Sequence, residues 1–216
     1  MSNLDSIIKQ RLHVNTHPLV CSKMTRLRDK NTGTKEFREL AGEIAAFIAY
    51  EATREMELVR KTVETPVGTA NGWENARKFS LVPILRAGLG MVEGIANLIP
   101  TAKIGHIGIY RNPDTLQPTD YYSKFPPEIE DSEILLLDPM LATGRTAEQA
   151  IRYLKNAGAT HIKFLCLVAV REGVEEILKN HPDIDIYTAA YDAELNDHGY
   201  IVPGLGDAGD RLFGTR

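Results

Sequence analysis

Between residue 34 and about residue 59, the apolar positions Phe37, Leu40, Ala41, Ile44, Phe47 and Ile48 recur every three or four residues, with Glu36, Arg38, Glu39 and Glu43 between them. That spacing gathers the apolar side chains on one face and predicts an amphipathic α-helix. Residues 66–76 are rich in Gly, Asn and Thr, which suits a turn or a protruding hairpin, and an oligomer contact is expected there. The pattern then changes. Runs that are apolar at nearly every position, at 79–84, 104–110, 134–137, 162–170 and 184–189, alternate with helical patterns at 89–98, 146–156 and 174–179. A run without polar alternation is a strand covered on both faces, so the prediction is an α/β fold with a mostly parallel central sheet flanked by helices. Residues 112–131 break this rhythm with four prolines, five acids and the pair Tyr121-Tyr122. A connection of about 20 residues is long, and it reads either as a lid or as a surface loop.

In parallel sheets of this kind ligands sit beyond the carboxyl ends of the strands. The run 134–137 ends in Asp138 and passes through Pro139, Met140, Leu141, Ala142, Thr143, Gly144, Arg145 and Thr146 into a helix. Small residues let a ligand approach the backbone, threonine hydroxyls can donate to phosphate oxygens, and a helix start offers free N–H groups and a positive dipole end. The alternative is an ordinary strand-to-helix turn, with Thr146 as N-cap and Asp138 as a turn residue. Two other strand ends carry arginines: Arg86, followed by Ala87, Gly88, Leu89 and Gly90, and Arg111. Taken alone, each reads as a solvated surface charge. Together with the Gly/Thr loop they describe a site for a ligand with more than one phosphate, because guanidinium forks match phosphate oxygens.

The last stretch, from Gly199 to Arg216, includes Gly204, Gly206 and Gly209 in a GxGxxG spacing. Only seven residues follow, which leaves no room for the helix and next strand of a dinucleotide fold. The glycines instead allow a shaped loop whose main-chain groups can line a small pocket, and Ile201, Val202, Leu205, Leu212 and Phe213 argue that the segment packs rather than trails as a tail.

Composition narrows the partners. With 216 residues, 43% apolar content and a net charge of −4, the chain can bury one sizeable core but carries no broad basic surface for nucleic acid or an anionic membrane. No apolar run approaches the roughly 20 residues needed to span a bilayer, and no signal-peptide core opens the chain, so a cytoplasmic location is expected. Cys21 and Cys166 form no CxxC pair, and Cys166 lies in an apolar run as a small buried hydrophobe. The six histidines show no zinc-ligand spacing, so no protein-built metal centre is expected.

At Val82-Pro83-Ile84-Leu85-Arg86-Ala87-Gly88-Leu89-Gly90-Met91, at Asp138-Pro139-Met140-Leu141-Ala142-Thr143-Gly144 and in the C-terminal run, the chain resembles the uracil phosphoribosyltransferase family, of the type I phosphoribosyltransferase fold. The resemblance spans nearly the whole chain. It implies a pentosyltransferase that moves the 5-phosphoribosyl group of phosphoribosyl pyrophosphate to uracil, giving UMP and pyrophosphate in pyrimidine salvage. By the same resemblance Asp138, Pro139, Met140, Leu141, Ala142, Thr143, Gly144, Arg145 and Thr146 hold the ribose and 5′-phosphate. Arg86 and Arg111 meet the pyrophosphate, and Ile201, Gly206, Asp207 and Ala208 hold uracil. Asp207 also touches the donor, and Asp207, Arg86 and Arg111 are the residues expected to serve catalysis. Magnesium (Mg2+) is implied through the donor pyrophosphate rather than through protein ligands. A homo-oligomer, dimer or tetramer, is expected, and a GTP activator is carried over from some relatives.

As domains, residues 1–216 form a single unit, with 78–190 as core sheet and helices and 191–216 as the uracil-binding segment. In this family one acid at the strand end is followed by Pro139 where other phosphoribosyltransferases carry two acids. Arg145 stands where Gly is frequent, and it is unstrained only with a negative φ; a left-handed backbone there would cost about 1 to 2 kcal/mol. Two other readings stay open from the residues: a regulatory protein on the same fold that senses uridine nucleotides and RNA, and a transferase acting on a purine.

Overall fold

The structure, a computed structural model, describes residues 3–111 and 118–215. Helix α1 (Asn3–Arg11), strand β1 (Leu12–Val14) and helix α2 (Pro18–Arg28) lead into helix α3 (Thr34–Ala52). A hairpin of β2 (Leu58–Thr65) and β3 (Gly68–Asn75) precedes β4 (Phe79–Leu85), α4 (Leu89–Leu98), β5 (Lys103–Ile104), β6 (His106–Arg111) and β7 (Pro118–Lys124). Then come β8 (Glu133–Leu137), β9 (Met140–Leu141), α5 (Arg145–Asn156), β10 (His161–Val170), α6 (Arg171–Asn180) and β11 (Asp185–Asp192). The chain closes with β12 (Glu194–Leu195), β13 (Ile201–Val202) and α7 (Ala208–Phe213).

The main sheet runs in the order β1-β11-β10-β8-β4-β6-β7, with β5 beside β4 and β9 beside β10. Its pairings are parallel except for β7, which lies antiparallel to β6 at the edge. The apolar runs explain why. Along β8, Leu135 and Leu137 pack into the layer that holds α3 and α4, while Ile134 and Leu136 pack into the layer under α5 and α6. A strand that must bury both faces has no polar side to show water. Cys166 is fully buried in β10, where burial pushes its thiol up to about 12, so it is no nucleophile at neutral pH.

Four expectations shift. The helix expected to reach about residue 59 ends at Ala52, where the Thr53 hydroxyl donates to the carbonyls of Ala49 and Tyr50 and closes the last turn. Beyond it Leu58, Val59 and Val63 belong to the hairpin. The run 104–110 divides at Gly105, whose N–H donates to Leu81 O, into β5 and β6. Of the expected lid at 112–131, residues 112–117 lie outside the described residues, while 118–124 form β7. Its order comes from main-chain pairing with β6, which an aperiodic sequence does not announce. The sheet also takes up β1, three residues too short to show a period. Among the described residues, no helix is long and apolar enough to cross a membrane.

Candidate active site

Three strand tips and the C-terminal run converge at one edge of the sheet. Strand β8 ends at Leu137, and the Asp138 N–H donates to Leu165 O at 3.2 Å while its Oδ1 accepts from the Met140 N–H at 3.3 Å. The Pro139 carbonyl accepts from both Leu167 and Val168 N–H, at 3.0 and 3.1 Å, so the turn is sewn to β10. Pairing of Met140 and Leu141 with Val168 and Ala169 extends that seam. The loop therefore leaves the sheet from a fixed base.

Gly144 is the cap of α5, at φ +77° and ψ −14°, and no side chain caps the helix. The turn-only reading with Thr146 as N-cap does not hold, because Thr146 already lies inside the first turn. The first-turn N–H groups are thus uncovered by any capping side chain and available to an anion. A Cβ at Gly144 would come 2.6 Å from Gly173 O and 2.8 Å from Glu176 Cβ, so helix α6 presses on the loop where only glycine fits. The left-handed residue is Gly144 and not Arg145, which starts the helix with ordinary right-handed backbone and an exposed side chain. The departure at Arg145 therefore carries no backbone strain.

Strand β4 ends at Leu85, leaving Arg86 exposed with its guanidinium 5.9 Å from the centroid of the Phe213 ring in α7. Arg111 is the last residue of β6, next to β4; its side chain lies outside the described residues. In the C-terminal run Ile201 is buried and pairs through β13 with Leu195. Gly206 is left-handed at φ +80°, and Asp207 caps α7 through Oδ1, which accepts from the Asp210 N–H at 2.9 Å. Ala208 is buried at the helix start.

A cavity of 230 Å³ lies between the loop and the C-terminal run, and Arg86 is not among its lining residues. Asp138, Met140 and Ala142 line it from the loop side, Ile201, Gly206, Asp207 and Ala208 from the C-terminal side, and Ala87, next to Arg86, from the end of β4. Thr143, Gly144, Arg145 and Thr146 continue around the helix start beside it, while Pro139 and Leu141 are buried in the seam to β10. Tyr200 and Gly209 also line the cavity. Their positions next to Ile201 and Ala208 were the only signal in the sequence, because neither residue type is distinctive. Asp138 and Asp207 are the two carboxylates on the cavity wall. Among the described residues, no three His, Cys, Asp or Glu side chains cluster as a protein-built metal centre.

Comparison with known proteins agrees with this architecture. The family model described as Uracil phosphoribosyltransferase matches residues 14–215. A relative from Halalkalibacterium halodurans named Uracil phosphoribosyltransferase is 59% identical over 207 residues, covering 95% of this chain and 99% of the relative. A solved protein structure from Aquifex aeolicus superposes with a TM-score of 0.89 at 36% identity, covering 94% of this chain and 98% of that one. A hypoxanthine-guanine phosphoribosyltransferase from Bacillus anthracis, at a TM-score of 0.50 and 12% identity over 74% of this chain and 80% of that one, shares the fold.

Proposed function

The chain belongs to the uracil phosphoribosyltransferase family, and from that premise we infer that its site transfers the 5-phosphoribosyl group of phosphoribosyl pyrophosphate to uracil. The products are UMP and pyrophosphate. The observation that carries this reading is the single cavity walled on one side by the strand-end loop with Asp138 and on the other by Ile201, Gly206, Asp207 and Ala208. One wall suits a phosphorylated sugar and the other suits a flat base.

In the proposed arrangement the first-turn N–H groups of α5, with Thr143 and Thr146, hold the 5′-phosphate, and Asp138 accepts from the ribose hydroxyls. Arg86 and Arg111 stand at neighbouring strand ends, where they would neutralise the pyrophosphate as it leaves with the electron pair of the C1–O bond. Uracil N1 then bonds C1 from the opposite face and gives its proton to solvent. Positioning is the protein's main task, because the anomeric carbon develops positive character without covalent help. Two cavity carboxylates suit magnesium, which takes one or two carboxylates alongside substrate phosphates. Bound there with the pyrophosphate, the ion adds charge neutralisation to the leaving group. Asp138 and Asp207 would be its protein neighbours.

Main-chain groups choose the base. Uracil offers acceptor, donor, acceptor along one edge, and a fixed backbone cannot rotate to suit cytosine, so each mismatch costs about 1 to 3 kcal/mol. Purified protein should form UMP from uracil, phosphoribosyl pyrophosphate and magnesium, and should leave cytosine and hypoxanthine unused; no UMP from uracil would refute the reading.

The same proposal takes residues 1–216 as one catalytic unit that works as a homo-oligomer. The β2–β3 hairpin supports this, because it shows solvent Val67 at 97% and Trp73 at 62% exposure beside Leu58, Val59 and Val63. An isolated two-stranded hairpin with that much apolar surface is marginal in water, and a second copy would cover it. Light scattering should report a dimer or larger species, and Trp73→Glu should weaken it.

A further inference from the structure

The peptide just before the base-reading residues is held by one side chain far away in sequence, Arg28, and by two from its own segment, Asp192 and Arg211. Asp192, at the carboxyl end of β11, has a side chain only 7% exposed and takes a two-pronged ion pair from Arg28, the last residue of α2. The Arg28 Nη2 to Asp192 Oδ1 distance is 2.6 Å and the Nη1 to Oδ2 distance is 2.7 Å. Both partners then grip Gly204: Arg28 Nη1 donates to its carbonyl at 2.6 Å, and its N–H donates to Asp192 Oδ2 at 2.8 Å. The next residue is fastened too. Arg211 Nη1 donates to Leu205 O at 2.9 Å, Nη2 donates to Asp29 O at 2.6 Å, and the guanidinium lies 4.2 Å from the centroid of the Phe37 ring.

Two arginine forks thus tie residues 204 and 205 to the end of α2, immediately upstream of Gly206, Asp207 and Ala208. A charge-assisted pair of low exposure holds its geometry far better than a loop held by water, and a peptide bonded on both its N–H and its C=O cannot swing. We propose that Arg28, Asp192 and Arg211 are positioning residues for base recognition, setting the main chain of 206–208 in the register that accepts uracil. The inference rests on the reading of this cavity as a uracil pocket. None of the three residues lines the cavity, so they act through the loop. The phosphate side of the site is built on the α5 loop and does not share these bonds.

The consequence is a split between the two substrates. In Arg28→Ala and Asp192→Asn the KM for uracil should rise about tenfold, as expected for main-chain hydrogen bonds out of register. The KM for phosphoribosyl pyrophosphate should rise by a smaller factor, since of the displaced residues only Asp207 also meets the donor, and preference for uracil over cytosine should fall. Arg28→Lys keeps the charge but not the fork, and should recover part of the loss. Steady-state kinetics on protein checked by circular dichroism measures all of these. A folded variant in which both KM values are unchanged, or rise by the same factor, overturns the proposal. If Arg28→Ala does not fold, Arg211→Met carries the same expectation: it keeps an unbranched apolar stem against Phe37 but donates to neither Leu205 O nor Asp29 O, and unchanged uracil KM there overturns the proposal equally. Wild-type protein that makes no UMP would sink the proposed function itself, an outcome distinct from an active enzyme with insensitive variants.

Discussion

The loop 138–146 and the segment 191–216 face each other across one cavity, yet they are held in opposite ways. The loop is contiguous with its supports: a strand leads in, a helix leads out, and its strand-side bonds go to the neighbouring strand β10. The C-terminal segment is braced by its own Asp192 and Arg211 and by one side chain more than 160 positions away, Arg28 reaching Asp192 and Gly204 across separations of 164 and 176 residues. A phosphate grip can be rigid because its element is regular. A base reader with little regular structure has to borrow rigidity.

The largest effect expected of any single change is on the pyrophosphate. Arg86→Ala should lower kcat by about a hundredfold to a thousandfold, the loss found when one donor to a developing charge is removed, with circular dichroism unchanged because the side chain is exposed. An undiminished kcat would break the assignment of the leaving group to this strand tip.

Next come two glycine changes that test the two walls separately. At Gly144 the φ is +77° and α6 backbone lies 2.6 Å from the added Cβ; at Gly204 the φ is +56° and the Ile201 carbonyl lies 2.1 Å from it. Each alanine should cost about 2 to 4 kcal/mol of stability in thermal or urea unfolding, from backbone strain plus overpacking. Their kinetic signatures should differ: Gly144→Ala should raise the KM for phosphoribosyl pyrophosphate and Gly204→Ala the KM for uracil. If both variants moved the same KM, the walls would not be independent.

The smallest expected effect concerns His181, at the end of α6 and behind the phosphate loop. Its Nε2 is buried and lies 3.5 Å from Glu148 Oε1 in the first turn of α5. Burial, helped by Lys155, lowers its pKa below 6.5, although Glu148 and Asp183 pull the other way. A lowered folded pKa means that the unfolded chain binds the proton more readily. The stability gained is therefore full above pH 6.5 and is lost as the pH falls through the folded value. The Tm should drop modestly on acidification below pH 6.5, and His181→Gln should show less of that drop. An identical pH profile in the variant would remove His181 from the account.

Much of the phosphate wall was legible in the sequence. Asp138 follows an apolar run, Gly144 falls where a helix must begin, and the stripe Ala147, Ala150, Ile151 and Leu154 announces that helix, so periodicity places the loop without tertiary information. Of the two readings open there, the turn capped by Thr146 fails: α6 packs so closely that glycine is required two residues earlier, at Gly144. On the base wall, the glycines and apolar residues marked a packed and shaped segment but not its shape. Helix α3 illustrates the same limit: its stripe was plain, but its end at Ala52 was set by the Thr53 hydroxyl bonds and by strand pairing in the hairpin.

By itself the sequence determined that a two-sided apolar sheet would form, that its carboxyl edge would carry arginines and a helix start, and that the chain's last residues would pack. These follow from local period and residue chemistry. Only the tertiary structure decided that Arg28, Asp192 and Arg211 meet at residues 204 and 205, and that β7 and β1 complete the sheet. Such contacts join positions with no shared periodicity, and their energy exists only once the intervening chain has folded and excluded water around them.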